Sequence, residues 1–139
     1  MATTVPFKLI TPAAIKFDGQ AELVIAVGTE GETGILPHHA PYLTTVRPGV
    51  LRANIVEGDQ TKRLELATAE GFLQVLPDRI TLLVDAAFER NEVDIDAARR
   101  ELSEARDRQS AAGGNLDAWR REQYAIDFAT AKLHVAGVH

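Results

Sequence analysis

Short alternating apolar runs, each closed by a turn signal, fill residues 5–86, and then the alternation stops. FKLI, IKF, AELVIAV, YLTTV, VLRANIV, TKRLELAT, GFLQVL and RITLLV follow one another at intervals of about 8 to 12 residues. Leu23, Ile25 and Val27 share one parity in AELVIAV, as Leu64 and Leu66 do in TKRLELAT. Side chains of an extended chain alternate between faces, so this pattern indicates half-buried antiparallel strands. Asp18-Gly19, Gly28 to Gly34, Glu57-Gly58-Asp59 and Pro77-Asp78-Arg79 supply the turns. Many short strands with no helical periodicity predict a sandwich or barrel.

Beyond Asp85 the period lengthens. Asp94 is placed to cap a helix in which Ile95, Ala98, Leu102, Ala105 and Gln109 recur at steps of three and four. Gly113-Gly114 stops it, and Asn115 caps a second helix carrying Leu116, Trp119, Gln123, Ile126, Thr130 and Leu133. A short loop between two such stripes predicts an antiparallel helical hairpin. The expected fold class is therefore an N-terminal antiparallel β-sandwich, residues 1–89, followed by a C-terminal two-helix hairpin, residues 90–139. Both stripes are narrow, so a hairpin of this size is only marginally stable alone. Tyr124 and Phe128 fall outside the stripe of the second helix and need a cover from the sandwich or from a partner.

Bulk chemistry removes several function classes. A hydrophobic content of 45% with 25% charge is a folding composition. The net charge of −5 argues against a nucleic-acid partner, which needs a clustered basic surface. With no cysteine there is no disulfide and no thiolate chemistry. No apolar run approaches the roughly 20 residues of a membrane span, and the N-terminus lacks the layout of a signal or transit peptide, so no direct membrane insertion is expected.

Catalytic arrangements fare poorly too. Ser103 and Ser110, the only serines, lie on the first predicted helix, far in sequence from any histidine. His38 and His39 sit between Pro37 and Pro41, which favour extended backbone; adjacent side chains then diverge and do not converge on a metal. The glycine run from Gly28 to Gly34 has no lysine and carries Glu30 and Glu32, so it reads as a turn and not as a phosphate cradle. Arg99, Arg100, Arg106, Arg108, Arg120 and Arg121 alternate with acids, as a solvated face with i,i+4 pairs would, or as arginines that meet a partner's carboxylates or phosphates. No catalytic residue, metal site or obligatory cofactor is expected.

EGETGILPHHAPYLTTVRPGVLR, then AEGFLQVLPDRITLLVDAAFER, then IDAARRELSEA, resembles the epsilon subunit of rotary ATP synthases over nearly the whole chain. That resemblance implies a non-catalytic central-stalk subunit. Its sandwich would dock on the gamma subunit and on the c-ring. Its hairpin would fold onto the sandwich, or extend along gamma towards the alpha and beta subunits and block ATP hydrolysis. A peripheral place at the cytoplasmic face of the bacterial membrane and coupling to protons follow from the same likeness. The alternatives are a stand-alone nucleotide-sensing protein and a small hydrolase or metal enzyme built on His38 and His39.

The resemblance also implies site residues. Glu32, His38 and His39 match positions that meet the c-ring and gamma in relatives. His38 stands where relatives often have glycine, so it must tolerate a left-handed turn if the loop is kept. Asp96, Arg99 and Arg106 match a nucleotide-binding motif of some relatives. Asp127 and Ala131 stand where those relatives carry phosphate-binding arginines, which leaves ATP as at most a weak regulatory ligand.

Overall fold

A computed structural model describes residues 3–28, 31–38 and 40–138. Among these, nine strands come first: β1 (Val5–Ile10), β2 (Ile15–Gly28), β3 (Gly31–Ile35), β4 (Tyr42–Val46), β5 (Gly49–Glu57), β6 (Gln60–Thr68), β7 (Gly71–Leu76), β8 (Arg79–Val84) and β9 (Ala87–Phe88). A 3-10 turn, Arg90–Glu92, leads into α1 (Ile95–Ala111) and α2 (Leu116–Val135).

The strands form a sandwich in which β2 serves both layers. One layer runs β1-β8-β7-β4, and the other has β2-β5-β6-β9 with β3 added beside β2. The first half of β2 pairs with β1 and its second half with β3 and β5. All the pairings are antiparallel except β1 with β8, where Phe7 to Ile10 run alongside Ile80 to Leu83. A parallel pair needs a long connection, and the six strands between supply it.

Phe7, Leu9, Val24, Ile35, Leu51, Leu66, Leu73, Ile80 and Leu82 are fully buried between the layers. Each contributes about 1.5–3 kcal/mol by leaving water, before the entropy cost of ordering is counted. Leu23, Ile25 and Val27 do share a face, but Ala21, Val24 and Ala26 are the buried set of β2. Leu23, Ile25 and Val27 are partly buried on the other face.

Two turn readings give way to strand. Asp18-Gly19 lies inside β2, opposite Lys8 and Phe7. Gly19 is there because a Cβ would meet the Phe17 ring at 2.8 Å, not because the chain turns. Much of the glycine run is β3, which pairs back on β2 from Gly28↔Gly31 to Val24↔Ile35.

The helices begin as their caps dictate, with the Asp94 carboxylate accepting from Ala97 N–H and the Asn115 side chain from Ala118 N–H. Between them the seam is mostly alanine and amide. Ala98 and Ala105 are buried on α1, and Gln109 donates to Gln123 at 2.9 Å and to the Trp119 carbonyl at 3.3 Å. Leu116 and Trp119, expected inside this seam, are exposed. The Gln109 and Gln123 amides occupy the seam at that end.

Two outer faces and the loop between them

Each layer of the sandwich has an outer face, and the two differ. On the second layer, outward Val50 of β5 is paired with Ala67 of β6, and Ala67 with Phe88 of β9. α2 lies across this row: Ala131, Val135 and Phe128 pack against Val50 and Ala67, and the Phe88 and Phe128 rings stand 5.9 Å apart. Phe128 thus gets its cover from the sandwich, and Tyr124 lines grooves alongside Pro48, Glu70 and Gly71. The hairpin is docked.

Among the described residues, no helix lies across the outer face of the first layer. Register aligns Thr45, Phe72, Leu83, Ile10 and Ile15 in one row, with Leu43, Gln74, Thr81 and Lys8 in the next. Leu43, Phe72 and Leu83 are 69%, 53% and 46% exposed, and Ile15 is 60% exposed. Single exposed apolar residues are ordinary, but a row across four strands is the kind of contiguous patch that marks a partner surface. A groove of about 440 Å3 closes one end of this row, with Glu70 and Asp85 on its rim. Partial burial, aided by the Asp85 charge, raises the Glu70 pKa above the ordinary carboxylate value.

Between β3 and β4 the loop runs through exposed Leu36, half-buried Pro37 and exposed His38. His38 has φ 64, the one non-glycine residue with positive φ among the described residues. The imidazole is therefore carried on a left-handed backbone position of the kind that favours glycine. A left-handed L-residue costs about 1–2 kcal/mol, and a β-branched one is worse. His38→Gly is expected to leave the urea midpoint unchanged or slightly higher, whereas His38→Val lowers stability by about 1–2 kcal/mol. Equal midpoints for the two variants would show that the turn is not held as described.

The remaining expected site residues do not form one cluster. Glu32 sits on β3, half exposed, and pairs with Arg52 of β5. Both line a groove between the sandwich and α2, together with Arg47, Trp119, Asp127 and His134. His39 lies outside the described residues, so the pairing of His38 with His39 is not described. Asp96, Arg99 and Arg106 are exposed on α1, and neither arginine makes an ion pair among the described residues. Asp127 accepts from Gln123 at 2.9 Å, and Ala131 is buried under the sandwich contact. The expected i,i+4 charge pairs are replaced by cross-helix ones, Arg108 with Glu122 at 2.7 Å and Lys132 with Glu101 at 2.6 Å. Among the described residues no group of three or more His, Cys, Asp or Glu is arranged to hold a metal ion, and no helix is long and apolar enough to cross a membrane.

At the junction, Lys16 of β2 holds both carboxylate oxygens of Glu92 at 2.7 Å. Glu92 also accepts from the Glu89 backbone N–H. Chiefly the Lys16 hydrogen bond, then that backbone bond, hold the Glu92 carboxyl below its ordinary pKa. The sequence gives no local signal for this strap, because its partners lie 76 residues apart.

Residues 4–90 match the family model described as ATP synthase, Delta/Epsilon chain, beta-sandwich domain. An ATP synthase epsilon chain of Syntrophobacter fumaroxidans is 36% identical over 136 residues, which is 98% of either chain. Among solved structures, one similar chain belongs to the OSCP/F1/c-ring assembly of the Euglena gracilis mitochondrial ATP synthase. It has a TM-score of 0.74 at 18% identity, over 96% of the present chain and 81% of its own. Another belongs to the central stalk/c-ring of the Tetrahymena thermophila mitochondrial ATP synthase, with a TM-score of 0.65 at 19% identity over 94% and 97%.

Proposed function

Since this chain belongs to the ATP synthase epsilon-chain family, we propose that it is a non-catalytic central-stalk subunit of a proton-translocating ATP synthase. It docks on gamma and the c-ring at the cytoplasmic face of the bacterial membrane, and its hairpin inhibits ATP hydrolysis when it reaches the alpha and beta subunits. The observation that carries this reading is the bare apolar row on the first layer. A rotor part must bind permanently through one surface while another surface engages and releases. The uncovered row around Phe72 and Leu83 suits the permanent contact, and the face under α2 suits the reversible one.

The loop bearing Leu36 and His38, with His39, and the acidic side chain of Glu32 serve the c-ring and gamma contact. ATP is at most a weak regulatory ligand, because Arg99 and Arg106 face solvent on α1 while α2 offers a carboxylate and a buried alanine.

A Leu43→Lys plus Phe72→Asp chain tests the reading. Both side chains are exposed, so folding is expected to survive. Two central apolar anchors are each worth about 2 kcal/mol or more at an interface, so capture of gamma is expected to fall at least about a hundredfold. Undiminished capture would remove the assignment of this face.

A further inference from the structure

The side chain of Lys132 touches the sandwich, α1 and α2 together. Its side chain is 12% exposed, although it is a lysine near the end of a surface helix. The ammonium lies 5.1 Å from the Phe88 ring centroid on β9 and 4.6 Å from that of Phe128 on its own helix. It also donates to Glu101 of α1 at 2.6 Å. Two ring faces and one carboxylate replace the water that a lysine normally keeps.

The surrounding contact is weak without it. Ala67 and Ala131 contribute little area, so Val50, Phe128 and Val135 supply most of the apolar cover. The two arrangements that release the hairpin each break a different part of the lysine's shell. Lifting α2 from the sandwich removes Phe88, and parting the helices removes Glu101. Phe128 stays, being four residues away on the same helix. In either case the ammonium loses a partner that replaced water, so part of the penalty for opening falls on this residue.

We propose that Lys132, held by Phe88, Phe128 and Glu101, is the lock that sets the docked population of the hairpin. Its regulatory meaning rests on the function proposed above; the lock itself is a property of the isolated chain and is measured there. The natural absence of cysteine makes the measurement clean. Ala67→Cys places a thiol under α2 at a fully buried position, and Ala53→Cys places one inside the sandwich core. The rate at which an uncharged thiol reagent modifies Cys introduced at 67 reports undocking over many decades; that at 53 reports opening of the sandwich.

Lys132→Met keeps most of the stem and removes the charge. It is expected to speed modification at position 67 about tenfold and to leave position 53 unchanged. Lys132→Arg makes the same ring and carboxylate contacts and keeps the slow rate. Phe88→Leu also speeds modification, and adding Lys132→Met to it brings less than the product of the single effects, because both break one contact. A Lys132→Met rate within about twofold of the parent overturns the proposal, since a desolvated cation–π contact is worth more than that. So does equal acceleration at both positions, or full additivity with Phe88→Leu. Because no outcome depends on ATP hydrolysis, a failed lock and a failed stalk assignment are told apart.

Discussion

A chain carrying Gly71→Ala is expected to lose its cooperative sandwich, at a cost of more than about 4 kcal/mol, far above an ordinary surface change. Gly71 opens β7, opposite Val84 of β8 and Val46 of β4. A Cβ at this position points into the Leu83 carbonyl and stands 2.7 Å from Val84 Cα. Those are backbone atoms of a paired strand, so no side chain can swing aside to make room. Relief requires β7 and β8 to part, and with them the inward row of Leu73, Val75, Ile80 and Leu82. Gly114 is the control, because a Cβ there meets nothing within 4 Å. Gly114→Ala is expected to shift stability by no more than about 0.5 kcal/mol. Urea unfolding of both variants decides it: a Gly71→Ala midpoint near that of Gly114→Ala would mean that the strands are not so close.

What the sequence made legible followed from local chemistry. The change from period two to period 3.6 after Asp85 marks the end of the long strands, with only the two-residue β9 before the helices, and Asp94 and Asn115 cap as their type and place suggest. Failures occurred where one residue type serves two ends. Glycine after aspartate signals a turn, yet Gly19 is small to clear the Phe17 ring within a continuous strand. Alanine is weakly apolar, so a stripe drawn through Leu116, Trp119 and Leu133 misses the side of α2 where Ala131 packs with Ala67 of β6.

The candidate surface was harder still. GFLQVL and RITLLV carry apolar residues at both parities, and outward Phe72 and Leu83 were the available signal. Knowing that they neighbour one another, with Ile10 and Ile15 beyond, requires the strand order β1-β8-β7, which joins the start of the chain to residues some 70 positions later. Lys132 gave no signal, since a lone lysine on a helix is ordinarily solvated.

Fixing the hairpin to the sandwich by a disulfide between cysteines at positions 67 and 131 is expected to abolish inhibition of ATP hydrolysis while sparing synthesis. Ala67 and Ala131 belong to one buried cluster between β6 and α2, and no natural thiol competes. The hairpin buries Phe128 on the sandwich, and a groove in a partner could bury the same ring after it leaves. If one apolar surface is covered either way, as the proposed function requires, the free-energy gap between the two states is expected to be on the order of a few kcal/mol. About 5.5 kcal/mol of differential binding carries such an equilibrium from 1:99 to 99:1, within reach of a large partner surface. A covalent tie removes the released state whatever the partner offers, so its effect exceeds that of any single contact. Arg90-Asn91 and Gly113-Gly114 are the expected hinges, and the Lys16–Glu92 strap holds the first of them against β2. The measurement is ATP hydrolysis by the catalytic head with gamma and this chain, oxidised and then reduced. Reduction is expected to restore inhibition, which separates the tie from damage done by the substitutions. If the oxidised chain inhibits as strongly as the reduced one, the released hairpin is not the inhibitory form, and the reversible role assigned to the face under α2 fails with it.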